Sequence, residues 1–218
     1  MNVVLSLPEE ILLLALNDEK GTFNWTVSYK LPYLLAGALI MELMLRKRLA
    51  LEPKRLEVLD RTLTGLPLLD EILQSIDSSK KVRAGDYWVS KLGRRIKPMK
   101  LALLEELVDK GIIHSEEHRV LGIFPTIRYP MRDDRPRKGL ISDIRTLVLR
   151  GETPDPRQTM LIVLVYTSGL TPMLFDKEER RDARKRMAEI AKPLPVTQAI
   201  HKAIQGAQAG AQAGAFSI

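Results

Sequence analysis

Few residues of this chain are of types that do chemistry, and their spacing excludes most of it. There is no cysteine, which removes disulfides, thiolate metal sites and cysteine nucleophiles together. The histidines are His114, His118 and His201. His114 and His118 stand four apart, a spacing that on a helix puts two ligands on one face. Here they fall around a predicted hairpin with no third ligand nearby, so they are read as surface histidines. Glu9-Glu10, Glu105-Glu106 and Glu178-Glu179 are acidic neighbours. Adjacent helical positions do not converge, so these pairs are poor acid–base couples. Glu42 is alone among apolar neighbours and is expected to be buried with a partner. No Gly-rich phosphate loop and no GxSxG occur. The chain is therefore expected to be non-enzymatic, with no metal and no cofactor.

The remaining chemistry is charge. The chain has 218 residues and a formal net charge of +7. Such a surface points to an anionic partner: nucleic acid, an anionic membrane or a phosphorylated ligand. Two segments concentrate the cations. Gly93 to Lys100 carries Arg94, Arg95, Lys97 and Lys100, and Met131 to Lys138 carries Arg132, Arg135, Arg137 and Lys138. The first apolar run follows acidic residues and lacks a cleavage site, so no signal peptide is expected. The longest apolar run, Met160 to Tyr166, is far short of the roughly 20 residues a membrane span needs. Membrane contact is expected to be peripheral.

The elements that must position these residues are mostly helical. In LSLPEEILLLALNDEKGTFNW, Leu5 to Trp25, Ser6 and Glu9 fit a capping box and Pro8 lies in the first turn. The run from Ile11 to Leu16 is apolar on every side and predicts a buried helix. The segment Asn17 to Gly21 breaks it, and the aromatic loop Phe23-Asn24-Trp25 follows. A second helix is predicted from Pro32 to about Arg48, with Ala36, Gly37 and Ala38 permitting close backbone approach. Leu49 to Val58 reads as a small hairpin. Further helices are predicted at Leu66–Ile76, Val82–Leu92, Leu101–Lys110, Leu140–Arg150, Pro156–Ser168, Asp176–Lys192 and Pro195 to about Gln205. Ile112-Ile113 reads as a short strand. Val120 to Tyr129 reads as a second hairpin, with Gly122 to Pro125 at or near its tip. The prediction is a mainly α single domain over residues 1–205, a central helix bundle with short β-hairpins. The Gly/Ala/Gln segment 206–218 is expected to be an unstructured tail.

Two readings of the basic surface compete. Helix, Lys110-Gly111 turn, short strand and hairpin together look like a winged helix, which would place a helix in the major groove. Against it, that helix presents Glu105, Glu106 and Asp109, and the hairpin tip is apolar rather than basic. An apolar projection flanked by cations is the layout of an interfacial anchor. Leu121, Gly122, Ile123 and Phe124 would enter the bilayer while Arg119, Arg128 and Arg132 meet anionic headgroups. The bland alternative is that Ile123 and Phe124 fold back onto the core.

Several segments, in order, resemble the Golgi phosphoprotein 3 family, which includes its yeast vacuolar-sorting counterpart. They are LSLPEEILLLALNDEKG with the aromatic loop, LIMELMLRKRLALE (Leu39 to Glu52), LLDEIL (Leu68 to Leu73) and LVDKGII before the hairpin. The resemblance covers about Leu5 to Ile204. It implies a peripheral membrane protein that binds phosphatidylinositol 4-phosphate through a basic pocket and dips a hydrophobic hairpin into the bilayer. By resemblance, Trp25 lines the headgroup pocket. Lys97 and Lys100 stand where the family has two arginines, with Arg94 and Arg95 just before. Lysine supplies charge without the bidentate fork of arginine. A further family arginine falls at Leu35-Ala36-Gly37, where this chain has no cation; Lys30 is the nearest. The chain starts almost at its first helix, without the family's basic amino-terminal arm. Coat binding and recruitment of glycosyltransferase tails are therefore not expected. The resemblance is to a short, divergent member, and a bacterial source is one expectation. The expected location is the cytoplasmic face of a membrane, the Golgi in a eukaryote. Acidic or membrane-protein tails and self-association are further partners to consider, with nucleic acid ranked below them.

Overall fold

The structure, a computed structural model, describes residues 3–17, 20–120 and 123–215. Helix α1 (Leu7–Ala15) is buried along its whole length, as an all-apolar stripe requires. Its first turn is held by Glu9, whose carboxylate accepts both the Ser6 N–H and the Ser6 hydroxyl at 2.8 Å. A short helix α2 (Trp25–Ser28) follows the aromatic loop, capped by Asn24, whose side chain accepts the Thr26 N–H at 3.0 Å. Helix α3 (Leu31–Leu45) is buried from Leu34 to Leu43. A hairpin of β1 (Leu49–Glu52) and β2 (Arg55–Val58) comes next, then α4 (Pro67–Asp77), α5 (Gly85–Gly93) and α6 (Ile96–Asp109).

The second hairpin pairs β3 (Glu116–Val120) with β4 (Phe124–Arg128), setting Glu117 opposite Ile127 and Arg119 opposite Pro125. It is followed by α7 (Arg135–Leu149), α8 (Pro156–Ser168), α9 (Thr171–Leu174), α10 (Arg180–Ala191) and α11 (Pro195–Ala215). The bundle closes around α1 and α3. Helix α3 packs on α1, α5, α8 and α11, and α1 packs on α6, α7 and α8. The small residues expected to admit a neighbour do so: a Cβ on Gly37 would fall 2.5 Å from the Ile200 side chain of α11. The domain is mainly α, as the sequence predicts, with two small antiparallel hairpins among the described residues.

Several boundaries move, for local reasons. Helix α6 starts at Ile96 rather than Leu101. Pro98 then falls in the first turn, where its missing N–H has no helical partner to lose. The basic segment therefore belongs largely to a helix start, not to a turn before it. Helix α7 likewise begins at Arg135, with Pro136 in its first turn. Ile112-Ile113 forms no strand; Ile113 makes a single bridge to Met131. Pro125 lies in β4 rather than the tip, which a two-stranded edge tolerates. Helix α11 runs from Pro195 to Ala215, past the end near Gln205 that the sequence predicts. Among residues 195–210, for which burial is described, the last buried position is Ile204.

Buried charge lies at the start of α1. Glu9 pairs with Lys110 at the end of α6. Arg157 bridges Glu10 at 2.9 Å and Glu42 at 3.3 Å. Glu42 also accepts the Leu7 N–H at 3.0 Å and pairs with Arg46 at 3.2 Å. The expectation of a buried, partnered carboxylate holds: Glu42 is 4% exposed. Burial pushes the Glu10 carboxyl up, against the pull of Arg157. A cavity of about 380 Å³ adjoins this cluster, lined by Leu39, Leu69 and Leu103 along with the paired ions.

Candidate anion-binding face

Glu9 at the start of α1 meets Lys110 at the end of α6, while Lys100 near the start of α6 meets Phe23 just after α1, so the two helices run antiparallel. The start of α6 is thereby brought to the loop that follows α1. Lys100, one turn into α6, lies over the Phe23 ring with its ammonium 5.1 Å from the centroid. Burial, and next the neighbouring Lys97, pull the Lys100 ammonium below the ordinary lysine range. An anion placed against these two lysines would relieve the repulsion between them. The first turn of α6 contains no acid, and its free N–H groups add positive character. Arg94 and Arg95 stand exposed at the α5–α6 junction. Arg94, Arg95, Lys97 and Lys100 have no ion-pair partner among the described residues. Trp25, the first residue of α2, is 83% exposed.

The same loop anchors the second hairpin. Gly21, at φ +57°, accepts the Tyr129 N–H at 2.8 Å. A Cβ at Gly21 would meet the Pro130 backbone nitrogen at 2.3 Å, so only glycine permits this approach. The hairpin and the Lys100 seat are thus tied to one stretch of chain, Gly21 to Trp25. Ile123, at the turn, is 74% exposed and Ile127 is 55% exposed. Ile123 therefore does not fold back onto the core. Leu121 and Gly122, also expected to insert, lie outside the described residues, and Phe124 opens β4. Arg119 and Arg132 are exposed and Arg128 half-buried, and none of the three has an ion-pair partner among the described residues.

The second basic segment is different. Arg135 pairs with Asp133 at 2.7 Å, and its guanidinium hydrogen-bonds hold that carboxyl down at about 2. Lys138 pairs with Asp134 at 2.6 Å, and Arg137 is buried and donates to the Leu13 carbonyl at 3.0 Å. Much of that segment's charge is used inside the fold. Ala36, where the resemblance places an arginine, is fully buried in α3. Lys30, the nearest cation, donates to the Ser168 carbonyl at 3.2 Å, on the α8 side. His114 is exposed, His118 sits in β3, and no metal-ligand group occurs among the described residues. Phe23 is the site residue that sequence reasoning left without a role. Its signal was there, two aromatics in one short loop, but only the packing of α6 shows that Phe23 seats a lysine.

The architecture is a helical domain with a cation cluster at one helix start and an apolar-tipped hairpin tied to the same loop. No helix among the described residues is long and apolar enough to cross a membrane. The family model described as Golgi phosphoprotein 3 (GPP34) matches residues 7–207, and the chain belongs to that family. It is similar to vacuolar protein sorting-associated protein 74 of Schizosaccharomyces pombe, with 32% identity over 170 residues. That match spans 66% of this chain and 50% of the relative, so the chain covers about half that relative's length.

Proposed function

We propose that this protein is a non-enzymatic peripheral membrane protein that binds an anionic phospholipid headgroup. By family resemblance the headgroup is phosphatidylinositol 4-phosphate. Lys97 and Lys100 hold the phosphate at the start of α6, Arg94 and Arg95 add charge, and Trp25 packs against the headgroup or the interface. The hairpin around Ile123 inserts beside them. The observation that carries this reading is the seat of Lys100: half-buried on Phe23, next to Lys97, at a helix start without acids. The family's Golgi association and the relative's name in vacuolar protein sorting suit a trafficking membrane.

Vesicle sedimentation tests it, with phosphoinositide, phosphatidylserine and neutral vesicles. Removing two cations near an anionic surface costs about 2 kcal/mol, roughly thirtyfold in affinity. Lys97→Ala/Lys100→Ala is expected to lose that much on phosphoinositide vesicles. Equal recovery of both proteins on all three vesicles would sink the assignment.

A further inference from the structure

A second cluster of basic groups, sharing no residue with the Phe23 seat, lies where three helices converge on the end of α2. A cavity of about 270 Å³ is lined there by Tyr29, Lys30, Tyr166, Arg184, His201 and Gln208, among others. Its basic groups come from separate elements: Lys30 before α3, Arg184 on α10 and His201 on α11. Its lining contains no carboxylate, so nothing in the wall neutralises them. Lys30 is fixed in place by the Ser168 carbonyl and lies 5.5 Å from the Tyr29 ring centroid. The His201 ring stands 5.9 Å from that of Tyr166. Arg180 and Arg186 on α10 are bound to backbone carbonyls, and Arg186 also pairs with Glu189. Arg184 has no hydrogen-bond or ion-pair partner among the described residues, and neither the Tyr29 nor the Tyr166 hydroxyl has a hydrogen-bond partner there.

We infer that this cavity is a second anion site, built for a phosphate-type oxyanion held by Lys30, Arg184 and His201 with the tyrosine hydroxyls as donors. The chemistry follows from the wall. Charge-assisted N–H and O–H donors with no competing acceptor charge suit a compact anion with several oxygens. Burial, and next Lys30, hold the imidazole of His201 below its ordinary range, and an anion beside it would oppose both the loss of exposure and the positive charge acting on the ring. Gln208 belongs to the continuation of α11, so that extension closes one side of the cavity. The site shares none of the residues assigned to the headgroup, and its test is independent of that reading.

The experiment is a titration of the full chain with inorganic phosphate, read on the His201 ring resonances by NMR. Saturable movement is expected in the wild type and, unchanged, in Lys97→Ala/Lys100→Ala. Arg184 is exposed, so Arg184→Glu is expected to fold and to weaken phosphate by about tenfold or more, with Arg184→Gln intermediate. His201 resonances that ignore phosphate, or equal affinity in Arg184→Glu, would overturn the site. So would its loss in Lys97→Ala/Lys100→Ala. Sedimentation with phosphatidic acid and phosphatidylcholine vesicles separates the sources of the anion. Lost capture of Arg184→Glu on phosphatidic acid alone supports a lipid headgroup. Unchanged capture alongside lost phosphate binding supports the site with a soluble anion.

Discussion

Glu42 touches two guanidinium groups and a backbone N–H while 4% exposed. A carboxylate in that position is stabilising only while all its partners remain. Glu42→Ala leaves Arg157 half-buried with less compensation and strands the Leu7 N–H at the start of α1. The expected loss is about 3–5 kcal/mol of folding stability, measured by urea denaturation. Loss below about 1 kcal/mol would show that the cluster relaxes around water instead. Trp25 is the opposite case. At 83% exposure it buries little, so Trp25→Ala is expected to leave the denaturation midpoint within about 0.5 kcal/mol while lowering vesicle capture.

At the scale of elements, the loop from Gly21 to Trp25 couples two devices. Its carbonyl at Gly21 receives the base of the second hairpin, and its Phe23 ring receives Lys100. Gly21→Ala would force both a positive φ and a backbone clash. It is expected to lower the thermal midpoint and weaken vesicle binding together. Ile123→Ser removes the exposed apolar projection without adding charge. It is expected to leave stability unchanged and to cost roughly 1.5–3 kcal/mol of membrane affinity, the burial of one such side chain. Equal vesicle binding by Ile123→Ser and wild type would show that the hairpin stays out of the bilayer.

At the scale of the molecule, a formal charge of +7 is unevenly spent. The cations of residues 131–138 mostly face acids or carbonyls of the fold, whereas Arg94, Arg95, Lys97 and Lys100 do not. Attraction to an anionic surface should therefore come from unpaired, mostly exposed cations, which salt screens readily. Vesicle capture is expected to fall steeply as salt rises from about 0.05 to 0.5 M, with a residual part from the hairpin. Capture that ignores salt would assign binding to apolar insertion alone.

The sequence by itself determined the buried helix α1, the helix Pro156–Ser168, the hairpin at Leu49–Val58 and the buried role of Glu42. These are local facts: periodicity, capping chemistry and an isolated acid in an apolar run, each legible over a turn or two. The basic segment and the aromatic loop were also legible, as residue types. Tertiary structure decided which of their side chains meet. Antiparallel packing of α1 and α6 sets Lys100 on Phe23, and a glycine-only contact ties the hairpin to the same loop. It also turned Lys30 toward α8, into company with Arg184 and His201 from segments far along the chain. Convergence of that kind depends on helix packing, and no spacing within any one segment encodes it.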